Sequence, residues 1–332
     1  MKPLYPLRFE PIFKHNLWGG QRLPRFLNRT PPHDNAIGEA WILSDVEGSP
    51  SHVADGPLAG STLRELLATD ARRILGNVPA PQGKFPLLLK FIDARQELSV
   101  QVHPNDEQAA KLGPGMFGKT EAWVVLDACP DTSRLYAGFD HGISADCFRK
   151  ALREKTTPKT LHTFTPKRGD CLFLEAGTVH AIGANLLIFE VQQTSDITYR
   201  LYDWDRVDSQ TGKPRQLHVE EGLAASDFGR GPCHPVKPKT TVAEGVTREE
   251  LVNCRYFTLT RVTSRVPFRV GAKYECRAVV CVEGSGEVVW NGHGTPLNTG
   301  DTLLLPAEVG EAACLPKHEI TVMECGVPHS HG

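Results

Sequence analysis

Short apolar runs, separated by Gly, Pro, Asn and Asp, constrain this chain more than any other feature. Examples are FPLLLKFIDA, LSVQVH, EAWVVLDA, DCLFLEA, LLIFEVQQ, FTLTRV, RAVVCVEG and DTLLLPA. Many short strands with turn signals between them predict a mainly β chain, a sandwich or jelly roll. Helical patterns are few. STLRELLATDARRILG has a Ser/Thr start and apolar spacing near 3.6, so a helix is expected there. NDEQAAKL predicts a short helix capped by Asn105, and SADCFRKALREK another opened by Ser144. The Gly-, Pro- and Lys-rich segment 228–245 marks a boundary. The expectation is one domain over 1–235 and a second, all-β domain over 236–332. GTPLNTGDTLLLPAEVGEAACLP weakly repeats RGDCLFLEAGTVHAIGANLL, but has no histidine where the earlier copy has His180.

Composition narrows the function classes. The 332 residues are 40% hydrophobic and 23% charged, enough for an ordinary globular core. A net charge of -2 argues against a general nucleic-acid binder and leaves room for a local phosphate site. The N-terminal stretch has no uninterrupted apolar segment, and no run reaches roughly 18 apolar residues. Neither a signal peptide nor a membrane span is therefore expected. Nine cysteines without a C-x-x-C pair predict reduced thiols and a cytoplasmic protein, and argue against a structural zinc ribbon.

SVQVHPND, residues 99–106, carries the chemistry. Strand alternation puts Ser99, Gln101 and His103 on one face and Val100 and Val102 on the other. The valines suit a sheet core and the polar trio a cavity. In GKTEAWVVLDA, Lys119 and Glu121 also share a face; His180 follows a Gly177 turn inside an apolar run. Gln101, His103, Glu121 and His180 make a mixed N/O set for Zn²⁺ or a similar divalent ion. Asp196, Thr198 and Arg200 are expected on one face of a further buried strand. Lys90 interrupts LLLKFI and needs a partner or a wet cavity, because an unpaired buried ammonium is costly.

Several motifs resemble type I mannose-6-phosphate isomerases, the phosphomannose isomerases, in the short bacterial form. They are LWGG at 17–20, IGEAWILSD at 37–45, the 85–106 segment, GKTEAW at 118–123 and EAGTVHAIGANLLIFEVQQTSDITYRLYDW at 175–204. The resemblance is strong over the first two thirds of the chain and looser beyond. It implies a catalytic cupin, a jelly-roll β barrel, followed by a degenerate cupin-like domain without metal ligands. It implies one Zn²⁺ per chain on Gln101, His103, Glu121 and His180. It also implies Lys119, Asp196 and Arg200 as catalytic groups, with Ser99, Lys90 and Trp18 on the substrate side. The implied partner is a small sugar phosphate, with neither nucleic acid nor membrane. The sequence does not fix the oligomeric state, and a monomer is compatible with it. Two other classes stay open from the residues alone. One is an iron-dependent oxygenase cupin, which Gln101 in the first ligand place disfavours. The other is a non-catalytic sugar-phosphate-binding module.

Overall fold

The computed structural model describes residues 3–31, 35–208 and 212–328. All eight of the apolar runs quoted above form strands. Two antiparallel sheets face each other in the first half. The larger has the order Cys171–Leu174, Glu121–Ala128, Leu186–Gln193, Leu87–Ala94, Ile12–Gly20 and Ile37–Leu43. The smaller runs Leu161–Phe164, Leu135–Phe139, His180–Ile182, Val100–Val102, Tyr199–Tyr202. A third, nine-stranded sheet gathers the strands from Lys239 onward.

The central strands Leu87–Ala94 and Leu186–Gln193 are buried at every position. That is the signature of a sheet covered on both faces. On one face Ile92, Trp123 and Ile188 pack toward the smaller sheet. On the other, Leu89, Phe91, Val124 and Phe189 share a core with Leu251, Phe257, Leu259 and Met323 of the C-terminal half. The N-terminus crosses too, because Leu7–Arg8 pairs with Thr302–Leu305 of the third sheet. Sequence alternation could not reveal a two-residue strand bound to a partner some 300 residues away.

The three expected helices form. Leu63–Leu75 starts at Thr62 with a complete capping box, in which Thr62 and Glu65 each satisfy the other's backbone amide. Asp106–Ala110 is capped by Asn105, which reciprocates with Gln108. Ala145–Arg153 is capped by Ser144. Two more, Arg22–Phe26 and Val219–Ala225, lack a side-chain cap and gave no sequence signal. The 228–245 segment is no free linker. Cys233 and Val236 donate backbone hydrogen bonds to Ala137 and Cys171, and a strand begins at Lys239.

A shared core makes the halves unfold together. Phe257 is fully buried and packs edge-on against Phe173, with ring centroids 6.2 Å apart. Phe257→Ala should destabilise the whole chain by about 3–5 kcal/mol. Denaturant unfolding followed by circular dichroism and by fluorescence should give coincident transitions, both shifted. A shift confined to one of two separate transitions would contradict this.

Candidate metal centre and adjoining cavity

Strand register assembles the centre. His180 pairs with Gln101, and Gln101 pairs on its other side with Arg200. Three side chains from three neighbouring strands thus fall in one row. The alternation expected for 99–103 holds. Val100 and Val102 are fully buried among Phe139, Phe148, Leu161 and Leu201, behind the sheet. Burying each valine stabilises the strand by about 1.5–3 kcal/mol, which fixes the register and turns Gln101 and His103 inward. Across the barrel, Glu121 is the first residue of its strand.

His103, Glu121 and His180 are buried, and their donor atoms all lie within 4.8 Å of one another. His103 Nδ1 is 2.8 Å from the Ile197 carbonyl, and His180 Nδ1 is 2.8 Å from the Thr178 carbonyl. A carbonyl only accepts, so each Nδ1 carries the proton and each Nε2 presents a lone pair. Those lone pairs face the carboxylate. His180 Nε2 is 3.3 Å from Glu121 Oε1, and His103 Nε2 is 3.6 Å from Oε2. Neither Glu121 oxygen accepts a well-aligned hydrogen bond, although Lys119 Nζ lies 2.8 Å from Oε2. Two imidazole acceptors and a carboxylate converge here, with the Lys119 ammonium 3.1 Å from His103 Nε2 and the Gln101 amide nitrogen 3.3 Å from His180 Nε2. Their spacing and donor types are those of a group that could hold a metal ion. Gln101 adjoins it, with its oxygen 3.5 Å from the Ser99 hydroxyl.

Electrostatics agrees with that reading. Burial, followed by the Lys119 charge, pushes His180 down to about 4 and His103 well below the usual histidine range. Both stay neutral near pH 7, as ligation requires. Burial raises Glu121 to about 7, against the opposing pull of Lys119.

Beside the centre lies a cavity of about 300 Å³, at the small end of the roughly 300–1,000 Å³ typical of ligand sites. Trp18, Lys90, Ser99, Gln101, Lys119, Asp196, Thr198 and Arg200 all line it. The sequence therefore named residues from five stretches that the fold brings to one cavity. One expectation needs correcting. Asp196 and Thr198 are not on a buried strand, because the strand starts at Tyr199 and Asp196 is exposed. The segment before it cannot join the sheet. Ser195 N turns back to Gln193 O, and Ile197 O is used by His103. Among the described residues no ion pair joins Asp196 to Arg200. Arg200 donates to Gln216 O at 2.9 Å and leaves its buried Nε without a partner.

The partner that Lys90 needs is a pair of carboxylates. Its Nζ lies 3.3 Å from Glu190 and 3.5 Å from Glu39. Burial alone would lower the ammonium, but Glu39 and Glu190 outweigh it and hold it above its ordinary value. Trp123 and Trp41 anchor these acids by indole hydrogen bonds of 2.9 and 2.6 Å. Sequence reasoning missed Glu39, Glu190 and Arg215, which also line the cavity. A signal existed for Glu190: it breaks an apolar run, as Lys90 does, and the two pair across the sheet. The glycine of IGEAW has a steric reason as well. A Cβ on Gly38 would sit 2.6 Å from the Trp18 ring, so glycine lets Trp18 reach the cavity wall. A larger cavity of about 970 Å³, between Phe117 and Tyr256, contains none of the residues singled out in the sequence.

Two facing sheets around a buried His–Glu–His cluster define a cupin with a candidate metal centre. A family model described as "Phosphomannose isomerase type I, catalytic domain" matches residues 7–119. A mannose-6-phosphate isomerase of Bacillus subtilis is 33% identical over 94% of this chain and 98% of its own length. One from Streptococcus mutans is 33% identical over 91% and 92%. The crystal structure of a Bacillus subtilis mannose 6-phosphate isomerase superposes with a TM-score of 0.89 at 30% identity, covering 97% of this chain and 99% of that one. The chain belongs to the type I phosphomannose isomerase family.

The raised carboxyl of Glu121 sets a pH dependence. Its proton stabilises the metal-free fold fully below about 4.5, and that stability is lost as pH rises through about 7. A bound cation must displace this proton, while the imidazoles do not compete because they are already neutral. Divalent-metal affinity should therefore be about tenfold higher at pH 8 than at pH 6 by chelator competition. Glu121→Gln should bind more weakly and lose this dependence. A parent affinity flat between those pH values would show that Glu121 does not exchange a proton for the ion.

Proposed function

We propose that this chain is a zinc-dependent aldose–ketose isomerase that interconverts mannose 6-phosphate and fructose 6-phosphate through a cis-enediol. The observation that carries this reading is the convergence of Gln101, His103, Glu121 and His180 beside a cavity rich in cations. In this reading 1–235 is the catalytic domain, 236–332 packs against it without supplying ligands, and the protein works in the cytoplasm. None of the nine cysteines is in a disulfide, which suits that compartment.

The donor set suits Zn²⁺. It offers two neutral imidazole nitrogens, one carboxylate and, once the Gln101 amide turns its oxygen in place of its nitrogen toward His180, one amide oxygen, a mixed set that leaves the ion about +1 net charge. When bound, the ion supplies Lewis acidity toward the sugar oxygens beside the reacting carbons. The cavity is charged for a phosphate ester. Lys90, Lys119, Arg200 and Arg215 line it against Glu39, Glu190 and Asp196. Counting Glu121, the side chains balance, so a divalent ion leaves about +2 to meet a phosphate dianion.

Aldose–ketose exchange moves a proton between C2 and C1. The base must reach that proton and be ionised at neutral pH. Asp196 is a carboxylate at the exposed edge of the cavity with no paired cation among the described residues, so it takes the proton-handling role here. Arg200 cannot readily give up a proton and stabilises developing oxyanion charge, using the Nε that nothing else engages. Lys119, 3.1 Å from His103 Nε2 and 2.8 Å from Glu121, faces both centre and cavity and supports charge at the reacting oxygens. Trp18, Ser99 and Lys90 contact the sugar phosphate.

A coupled assay for fructose 6-phosphate, with chelator and zinc add-back, tests the reading directly. Activity should vanish with chelator and return with zinc, and His180→Ala should lose both tight metal binding and turnover. Asp196→Asn should keep its zinc and lose roughly 100- to 10,000-fold in rate, together with exchange of the C2 proton into deuterated solvent. Turnover near the parent value with zinc retained would move the proton shuttle to another group. Full activity in zinc-free protein would sink the metal-dependent mechanism.

A further inference from the structure

Lys119 hangs from three consecutive peptide groups whose amides are all engaged. Gly118 N donates to Asp106 Oδ1 at 3.0 Å, Lys119 N to Pro104 O at 3.1 Å, and Thr120 N to Gln193 Oε1 at 2.8 Å. The amide nitrogen of Gln193 donates in turn to Asp106 Oδ1 at 3.1 Å. One carboxylate oxygen thus holds both flanks of Lys119, directly on one side and through Gln193 on the other. The second oxygen, Asp106 Oδ2, accepts the Tyr256 hydroxyl at 2.7 Å, from 150 residues further along the chain. The fit is tight, because a Cβ on Gly118 would fall 2.6 Å from the Asp106 amide nitrogen. Only glycine permits that approach.

The geometry points to Tyr256, in the C-terminal half, as a positioning residue for Lys119. Its hydroxyl fixes the Asp106 carboxylate. Asp106 and Gln193 then fix the peptides from which Lys119 extends to Glu121 and His103. Tyr256 touches neither the metal cluster nor the small cavity; it lines the larger cavity with Asp106 and Gln193. Burial, then Asp106, push its hydroxyl up to about 12, so it remains a donor throughout the neutral range. A hydrogen bond to a charged acceptor is among the stronger kinds, and here it is the link between the C-terminal half and the segment that carries a catalytic group. What Lys119 does for turnover rests on the function proposed above, whereas the clamp rests on distances alone.

Tyr256→Phe removes one hydroxyl and keeps the ring. Hydrogen–deuterium exchange by mass spectrometry should show several-fold faster exchange in a peptide spanning 118–120, with the 180–182 strand unchanged. Asp106→Asn, which keeps the shape and removes the charge, should give the same pattern. With bound metal and melting temperature near the parent values, kcat for mannose 6-phosphate should fall about 3- to 30-fold, more than KM changes. In a Lys119→Ala background the same change should cost nothing further, because the group being positioned is gone. Unchanged exchange at 118–120, or losses that multiply fully with Lys119→Ala, would overturn the assignment. If the parent turned over no mannose 6-phosphate, the functional reading would fall, and the exchange measurement alone would decide the clamp.

Discussion

A carboxylate buried among acceptors is the constraint on which the rest of this structure depends. Glu121 is fully inside the protein, next to two imidazoles whose protons are committed elsewhere. Burying an ion costs several kcal/mol even after relaxation. Lys119 offsets part of that cost, and the carboxyl is still raised to about 7. The protein maintains this unfavourable arrangement with strands whose register is set by apolar packing behind them. The hydrophobic core thus stabilises an internal arrangement of acceptors that a proton on Glu121 or a cation relieves.

The neighbouring charges follow from the same constraint. A second buried cation could not stand alone in the sheet, and Lys90 does not. Glu39 and Glu190 bracket it, and the indoles of Trp41 and Trp123 hold those acids in place. Lys90 is therefore rigid and largely neutralised. Arg200 differs, with a buried Nε left over and Arg215 close enough to lower its pKa after burial has done so. Arg215 is itself tied to Asp203, 2.8 Å from Nε. One wall of the cavity is thus a charge-compensated network and the other keeps capacity for a ligand.

Among the described residues the C-terminal half has no donor in the cluster, yet it is not an appendage. It covers the outer face of the larger sheet through Leu251, Phe257, Leu259 and Met323, and receives the chain's first strand in return. Strands buried on both faces cannot fold without that cover. The same packing lets Tyr256 reach Asp106. Stability and site geometry thus run through one interface.

Local physics left its mark on the sequence, and that part was legible. Alternation in 99–103 separated the valines from Gln101 and His103 because a strand has two faces. Caps at Thr62, Asn105 and Ser144 announced three helices because a short side chain satisfies the first amides of its own helix. Lys90, Gln101, His103 and His180 stood out because each is an exception to an apolar pattern, whereas Trp18 came only with the family resemblance. What the sequence could not supply was anything defined by a partner far along the chain. Glu39 becomes legible only when Lys90 lies beside it, and the break that Glu190 makes in its apolar run gains a meaning only there. The carbonyls of Ile197 and Thr178 carry no side-chain signature at all, yet they decide which imidazole nitrogen is free. The 195–198 segment looked like a strand because its residues alternate, but its backbone groups were already committed to Gln193 and His103. Periodicity reports which face a residue prefers; only tertiary structure decides what waits on that face, because hydrogen bonds and charges act over a few ångströms of space and not along the chain.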